Sequence, residues 1–410
     1  MYRITRYLSA VLLGLSFIVF SYAGVPHKEM LDAQMKKLPK GSSILFITDT
    51  HWNSNTGHST EQMKYVSEKT GIETVVFAGD SYDHADDKGE ALRQLTLYTD
   101  LCLDAFGDDF HYIIGNHDAN SWPVGKGYAT EEVALIPDTL IYKVTQSHIA
   151  DKVVYDQVGI KTVQNYPFES ESQRKEAMAW MKMHWYRDIP SEKIRLITLE
   201  TGNRGYTART FANNAESLFL AQTDFVAKAL MSLPEGYNAV IVGHQMGLYK
   251  GEKKLGTQIA GLMQMMQVVS AYGTSSKVTV SPKNVPLSRF PLMKAFWKEA
   301  RVHEYDFTSV AKPGKVILLG GHFHQDMFWL ATPSAEGMKV ERVDPLDLKT
   351  VKKGQVLCFW VNRDVCRGGK NPAMTKGTPT EQSFMALTFG KNNVAMTRFG
   401  AGNDYKITLK

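Results

Sequence analysis

The sequence predicts an α/β fold organised on a largely parallel sheet, and three observations carry that expectation. From residue 43 to residue 114, apolar runs of strand length alternate with segments whose apolar residues recur at helical spacing. Five apolar runs along the chain end on short strings of Asp, His, Asn and Gly. Beyond His324 the pattern changes again and becomes strand-like to the end.

Taken in order, the first 23 residues stand apart. Arg3 and Arg6 precede an apolar stretch over residues 7–20, and Ser21-Tyr22-Ala23 puts small residues where a signal peptidase reads. This is an export signal cut after Ala23, because the apolar stretch falls short of the roughly 20 residues needed to span a bilayer. The chain is therefore expected to be exported, periplasmic or secreted, with no stable membrane span after cleavage. Residues 24–42 form a lead-in, with Leu31, Met35 and Leu38 on a short surface helix ended by Pro39 and Gly41.

The fold proper starts at residues 43–48, a strand ending on Asp49-Thr50-His51. Thr60 caps a helix that runs to Lys69 and stops at Gly71. A strand over residues 74–78 ends on Gly79-Asp80-Ser81-Tyr82-Asp83, and a longer helix follows over residues 89–106, with Leu92, Leu95, Leu101 and Ala105 inward. A strand at residues 111–114 then ends on Gly115-Asn116-His117-Asp118. This β-α-β-α-β order implies parallel strands with helices packed on them, and ligands gather beyond the carboxyl ends of such strands.

Residues 121–190 are longer than one crossover needs and read as an insertion that walls one side of the cleft, its aromatics, Trp180, Trp185 and Tyr186, serving either that wall or the insertion's own core. Residues 193–199 return as a core strand, residues 222–231 as a helix, and residues 239–242 as the strand that delivers Gly243-His244. Ile259, Leu262, Met263 and Met266 lie at helical spacing and read as core rather than lid. Residues 315–319 deliver Gly321-His322-Phe323-His324, and the tail holds a hairpin, residues 384–389 and 394–399 around Gly390-Lys391-Asn392-Asn393, with a last strand over residues 405–409.

Each string alone is also what a tight turn wants for its backbone angles. Their joint order is not. D-x-H, G-D-x-x-D, G-N-H-D, G-H and G-H-x-H, over residues 43–325, resemble the calcineurin-like metallophosphoesterase superfamily, here an exported bacterial-type member. The resemblance implies a β-sandwich of two mixed sheets flanked by helices in four layers. On that layout the core spans residues 43–330, with the insertion at about residues 121–190, and residues 331–410 form a β-rich C-terminal extension completing or packing on the core.

The resemblance also implies a ligand set for two divalent metals. Asp49, His51, Asp80 and His324 hold one, and Asn116, His244, His322 and the shared Asp80 hold the other. Nitrogen and oxygen donors of this kind admit Mn, Fe, Zn or Ni. Two metals about 3.5–4 Å apart lower the pKa of a shared water, which attacks phosphorus in line, and neutralise charge on the phosphoryl oxygens. His117, beside a ligand, would assist the leaving oxygen, and Asp83 is where the family places a carboxylate that holds this imidazole. Arg204, after the strand at 193–199, is a candidate phosphate clamp through its planar fork or a solvated loop arginine. Purple acid phosphatases differ: they carry Tyr where this chain has Asp83, and Gly in place of His51.

Composition bounds the function. The 410 residues are 43% hydrophobic and 22% charged, an ordinary globular balance, with a formal charge of only +5. No basic block points to nucleic acid, which disfavours a nuclease of the same fold. A small phosphate ester, mono- or diester, is the expected substrate. A relative that had lost catalysis and served as a binding scaffold would show gaps among the site residues, and there are none. Of three cysteines, Cys358 and Cys366 are close enough to close a small loop, and Cys102 reads as a buried hydrophobe.

Overall fold

Two sheets carry the molecule, and the strands ending on the five strings divide between them. The computed structural model describes residues 24–52, 56–202, 205, 207, 215–246, 260–280, 303–335, 337–364 and 374–410. The export signal, Arg204 and Cys366 lie outside these residues. Among the described residues no helix is long and apolar enough to cross a membrane.

After helix α1 (Lys28–Met35), strand β1 (Ser42–Ile47) enters the first sheet, followed by α2 (Thr56–Thr70), β2 (Val75–Phe77), α3 (Lys88–Phe106) and β3 (Phe110–Tyr112). β1, β2 and β3 are parallel neighbours, with Phe46 opposite Val76 and Val76 opposite His111. The helix placed at Thr60 starts earlier, and the Thr60 hydroxyl donates to the Thr56 carbonyl, 3.1 Å away, from inside α2. The start of α3 is fixed by Asp87, whose carboxylate accepts from the amides of Gly89 and Glu90 at 2.7 and 2.9 Å. Those amides have no partner within the helix, so the cap is what satisfies them.

Residues 121–190 supply helices α4 (Asp138–Thr145), α5 (Gln157–Asn165) and α6 (Glu171–Met181), the edge strand β4 (Val154–Tyr155) and its neighbour β5 (Trp185–Ile189). Their aromatics are mostly core. Trp180 and Trp185 are fully buried, and their indole N–H groups donate to Glu200 at 2.7 Å and Gln146 at 3.0 Å. A buried indole needs such a partner, because an unpaired N–H costs the full desolvation of the group.

The second sheet continues with β6 (Ile194–Thr198) and, after α7 (Ala215–Met231), β7 (Asn238–Val242). Helix α8 (Ala260–Thr274) carries Leu262 and Met266 into the core, as their spacing predicts. A small ribbon, β8 (Lys277–Val280) with β9 (His303–Asp306), precedes β10 (Val316–Gly320). The remaining strands are β11 (Met327–Ser334), β12 (Gly337–Val343), β13 (Thr350–Val351), β14 (Val356–Trp360), β15 (Ser383–Phe389), β16 (Asn393–Gly400) and β17 (Tyr405–Leu409).

The orders are β13-β17-β16-β15-β1-β2-β3 in the first sheet and β12-β11-β14-β10-β7-β6-β5-β4 in the second. Both are mixed sheets. Residues of the C-terminal stretch enter each of them, and β15 lies antiparallel beside β1 with Leu387 opposite Ile44. One apolar cluster, including Phe46, Val242, Leu319 and Leu387, fills the space between the sheets. A second packs α7 and α8 on the outer face of one sheet, and a third packs α1 to α4 on the outer face of the other. The layers are therefore helix, sheet, sheet, helix, the sandwich expected from the five strings. Fully burying a Leu, Ile or Phe side chain contributes about 1.5–3 kcal/mol, so these three clusters supply the driving force for the stack.

Cys358 does not form the expected pair. It is a buried free thiol whose Sγ donates to the Met246 carbonyl at 2.9 Å. Its neighbours on a central strand leave it facing helix and sheet atoms, and burial pushes the thiol pKa up. Cys102 is buried in α3, as its helical setting predicts.

Candidate metal centre

Five chain segments meet beyond the carboxyl ends of β1, β2, β3, β7 and β10. Three come from the first sheet and two from the second, so the site bridges the sandwich. The turns are held by main-chain bonds: Asp49 N–H to Gly79 O at 2.9 Å, His51 N–H to Asp80 O at 3.0 Å, and Gly321 N–H to His244 O at 2.9 Å. Close approach demands glycine at two points. A Cβ on Gly115 would overlap the Asp80 carboxylate, and one on Gly321 would overlap the Asp49 carboxylate and the Thr48 hydroxyl.

Asp49, His51, Asp80, His322 and His324 all have positive φ, between 47° and 76°. Non-glycine residues rarely adopt this conformation, and such strain persists only where the surroundings over-determine it. Its effect here is to swing consecutive side chains off the strand axis toward one point. Phe323 stacks on Trp360 with centroids 3.8 Å apart, while His322 on one side of it joins Asp80 and His244 and His324 on the other joins Asp49 and His51.

The side chains converge in overlapping groups. Asp49, His51 and His324 each offer a donor atom within 4.8 Å of the others, and so do Asp80, His244 and His322, and so do His51, Asp83 and His117. In the first group His324 Nε2 is 3.1 Å from Asp49 Oδ1 and 3.0 Å from His51 Nε2. In the second, His244 Nε2 is 3.0 Å from Asp80 Oδ2. That nitrogen is fully buried with the Asp80 carboxylate as its ion-pair partner, while the Nδ1–H on the other side of the ring donates to the Ala78 carbonyl at 2.6 Å. The ring is thereby oriented, and its Nε2 and a carboxylate oxygen are directed into the same space. Donors arranged so suit a divalent cation.

A family model described as calcineurin-like phosphoesterase matches residues 42–247, half of the chain. The chain belongs to that family. It is a phosphoric ester hydrolase, and the matched stretch contains Asp49, His51, Asp80, Asn116, His117 and His244, with His322 and His324 beyond it. Among solved structures, the chain is similar to a dimetal phosphatase from Danio rerio at 10% identity and a TM-score of 0.39, covering 89% of this chain and 98% of that one. No curated protein matches.

In this phosphoesterase, Asn116 sits beside the second group: Gln245, the residue after His244, donates from Nε2 to Asn116 Oδ1 at 3.1 Å. His117 lies over Asp80, whose Oδ1 accepts the His117 main-chain N–H at 2.8 Å and whose Oδ2 is 4.0 Å from His117 Nε2. Asp83 orients His117 differently from the expectation. Its main-chain carbonyl accepts from His117 Nδ1, and its carboxylate lies 2.8 Å from His51 Nδ1. The side chain of Asp83 is therefore placed to support His51, and the peptide of the same residue supports His117.

Three residues of the site were not singled out from sequence. Asp118 is fully buried, and its carboxylate accepts five bonds: from the amides of Gly115, Asp80 and Ser81 at 2.6, 3.0 and 2.9 Å, and from the hydroxyls of Ser81 and Tyr112, both at 2.9 Å. It clamps the turn after β2 to the turn after β3. Its place in the G-N-H-D string was the available signal. Gln245 carried no signal beyond following His244. Arg363, three residues past β14, brings Nη1 within 3.5 Å of His324 Nδ1 and sets a cation at the site.

Electrostatics follow from burial opposed by proximity. Burial raises the Asp49 pKa, but hydrogen bonding and charge from His324 outweigh it and hold the group below its usual range. At Asp80, burial is likewise outweighed, here by His244 and His117. Burial lowers His244, yet the Asp80 carboxylate lifts it to about 9, whereas burial dominates at His51 and takes it down to about 4. Two buried carboxylates held as anions make a site that attracts positive charge.

The Asp118 clamp yields a stability prediction. Asp118→Ala orphans several buried donors, each costing about 1–3 kcal/mol, so a loss of ~3 kcal/mol or more is expected in urea unfolding. An unchanged unfolding midpoint would show that the clamp is not a stabilising element.

Proposed function

We propose that this phosphoesterase hydrolyses small phosphate esters at a two-metal centre. Asp49, His51 and His324 hold one ion, Asn116, His244 and His322 hold the other, and Asp80 is shared. The observation that carries the reading is the pair of donor groups around two buried carboxylates, with His244 Nε2 and Asp80 Oδ2 3.0 Å apart in one of them. Metal ions bound there would lower the pKa of water and offset charge on the phosphoryl oxygens.

The chain's own residues do the remaining work. Asp118 and the glycines fix the turns, so the ligand candidates need no rearrangement when substrate arrives. Gln245 fixes the Asn116 amide with its oxygen toward its donor. Arg363 binds a phosphoryl oxygen beside His324. His117, with Nδ1–H held by the Asp83 carbonyl, presents Nε2 to the leaving oxygen and, protonated there, donates to it.

The test is metal analysis of the purified protein together with turnover of a mono-aryl and a bis-aryl phosphate, before and after chelation. Two equivalents of a transition metal are expected, with activity lost on chelation and restored by Mn, Fe, Zn or Ni. Undiminished turnover in fully stripped protein contradicts the proposal. The ratio of the two rates assigns the mono- or diester preference, which is set by the cleft walls and not by the ligands.

A further inference from the structure

The turns that hold His117 also carry a set of exposed rings. From Asp83, whose carbonyl accepts from His117 Nδ1, the chain passes directly to His84, an exposed residue. The His84 ring is stacked on Trp122, with centroids 4.3 Å apart and an interplanar angle of 23°. Trp122 follows Ser121, whose hydroxyl donates to the Asn116 carbonyl at 3.2 Å, so it is tied to the same string from the other side. Tyr128 extends the series, its centroid 5.5 Å from that of Trp122.

Core packing does not account for this arrangement. Tyr128 is 76% exposed, His84 is exposed, and Trp122 is only partly buried. The other tryptophans of this segment, Trp180 and Trp185, are fully enclosed and hydrogen-bonded through their indoles. The Tyr128 N–H, by contrast, is held by the Pro123 carbonyl at 2.8 Å in a turn that passes through Gly127 at φ 76°, which fixes the main chain and leaves the ring in solvent. Rings held on the surface beside the turns that carry His117 offer flat, rigid, apolar faces at low entropic cost.

We propose that His84, Trp122 and Tyr128 form a subsite for the leaving-group side of the substrate, and that this group carries a planar aromatic or heteroaromatic ring. The inference deepens the proposed function and rests on His117 as the residue facing the leaving oxygen. A ring on the departing group stacks against these faces, and an aliphatic alcohol finds no equivalent partner. Stacking on an aromatic side chain is sequence-tolerant, because every planar ring presents a π face.

The experiment compares metal-loaded wild type with Trp122→Ala, Trp122→Phe and His84→Ala on phenyl phosphate, adenosine 5′-phosphate and glycerol phosphate. Wild type is expected to prefer one or both ring-bearing esters. Trp122→Ala lowers the ratio of kcat/KM for the ring ester over glycerol phosphate on the order of 10- to 100-fold, chiefly through KM. His84→Ala moves it in the same direction, and Trp122→Phe restores most of it. The ester with the larger change identifies the ring as aryl or nucleobase. No ring preference in wild type, or an equal change on all three esters, overturns the subsite while leaving the hydrolase reading intact. Hydrolysis of none of the three, and of neither aryl phosphate of the metal test, removes both.

Discussion

Asp80→Ala is expected to lose turnover by roughly four orders of magnitude or more, and to retain fewer than two metal equivalents. Asp80 is the carboxylate common to both sides of the site. Its Oδ2 lies 3.0 Å from His244 Nε2, its Oδ1 takes the His117 main-chain N–H, and its charge acts on both Asp49 and His51. Deleting it removes one of two buried anions and frees the turn that presents His117. Because Asp80 stands at φ 61°, Asp80→Asn is the better control: asparagine tolerates this backbone and removes only the charge. Two tightly bound metal ions in the alanine variant would exclude Asp80 as the shared ligand.

The second large effect is expected at His117. His117→Ala should lower kcat about 10²- to 10⁴-fold while two metal equivalents are retained, because His117 groups with His51 and Asp83 and not with the donors around Asp49 or Asp80. The loss should be small for esters of acidic phenols, whose leaving oxygen needs no proton, and full for esters of alkyl alcohols. The structure sharpens the test. Since the Asp83 carbonyl and not its carboxylate accepts from His117, Asp83→Ala keeps that bond and acts through His51 instead. A His117→Ala enzyme with wild-type kcat on alkyl esters removes this histidine from the chemistry.

Much of the fold and site was readable in the chain because local chemistry and tertiary placement agree there. Apolar runs before Asp49, Asp80, Asn116, His244 and His322 are strands buried on both faces, and such strands show as continuous apolar stretches. The strands β5 and β11 to β14 were less legible. Trp185–Ile189 mixes Trp, Tyr, Arg and Asp at a sheet margin, and Gly337–Val343 alternates exposed charges, so neither stands out from a loop. The helix at Thr56 was read late because Thr60 resembles a cap, although its hydroxyl is satisfied within the helix. Asp118, Gln245 and Arg363 act through contacts made only when distant segments meet, and the spacing of residues carries no trace of such contacts. Asp83 shows the same limit at finer scale, since no sequence pattern distinguishes a role for its carboxylate from one for its peptide.

The place of β15 beside β1 has a consequence for how the polypeptide matures. The pairing joins Ile44 to Leu387, so the first strand synthesised in this sheet waits for one made almost at the end of translation. Contacts of such long range slow folding, because chain closure must be achieved before they contribute. Until then β1 keeps an unsatisfied edge, a template for pairing with other chains. A nascent or shortened polypeptide without its last three strands is accordingly a species for chaperones to hold, and successful production depends on complete chains more than on the strength of any single contact.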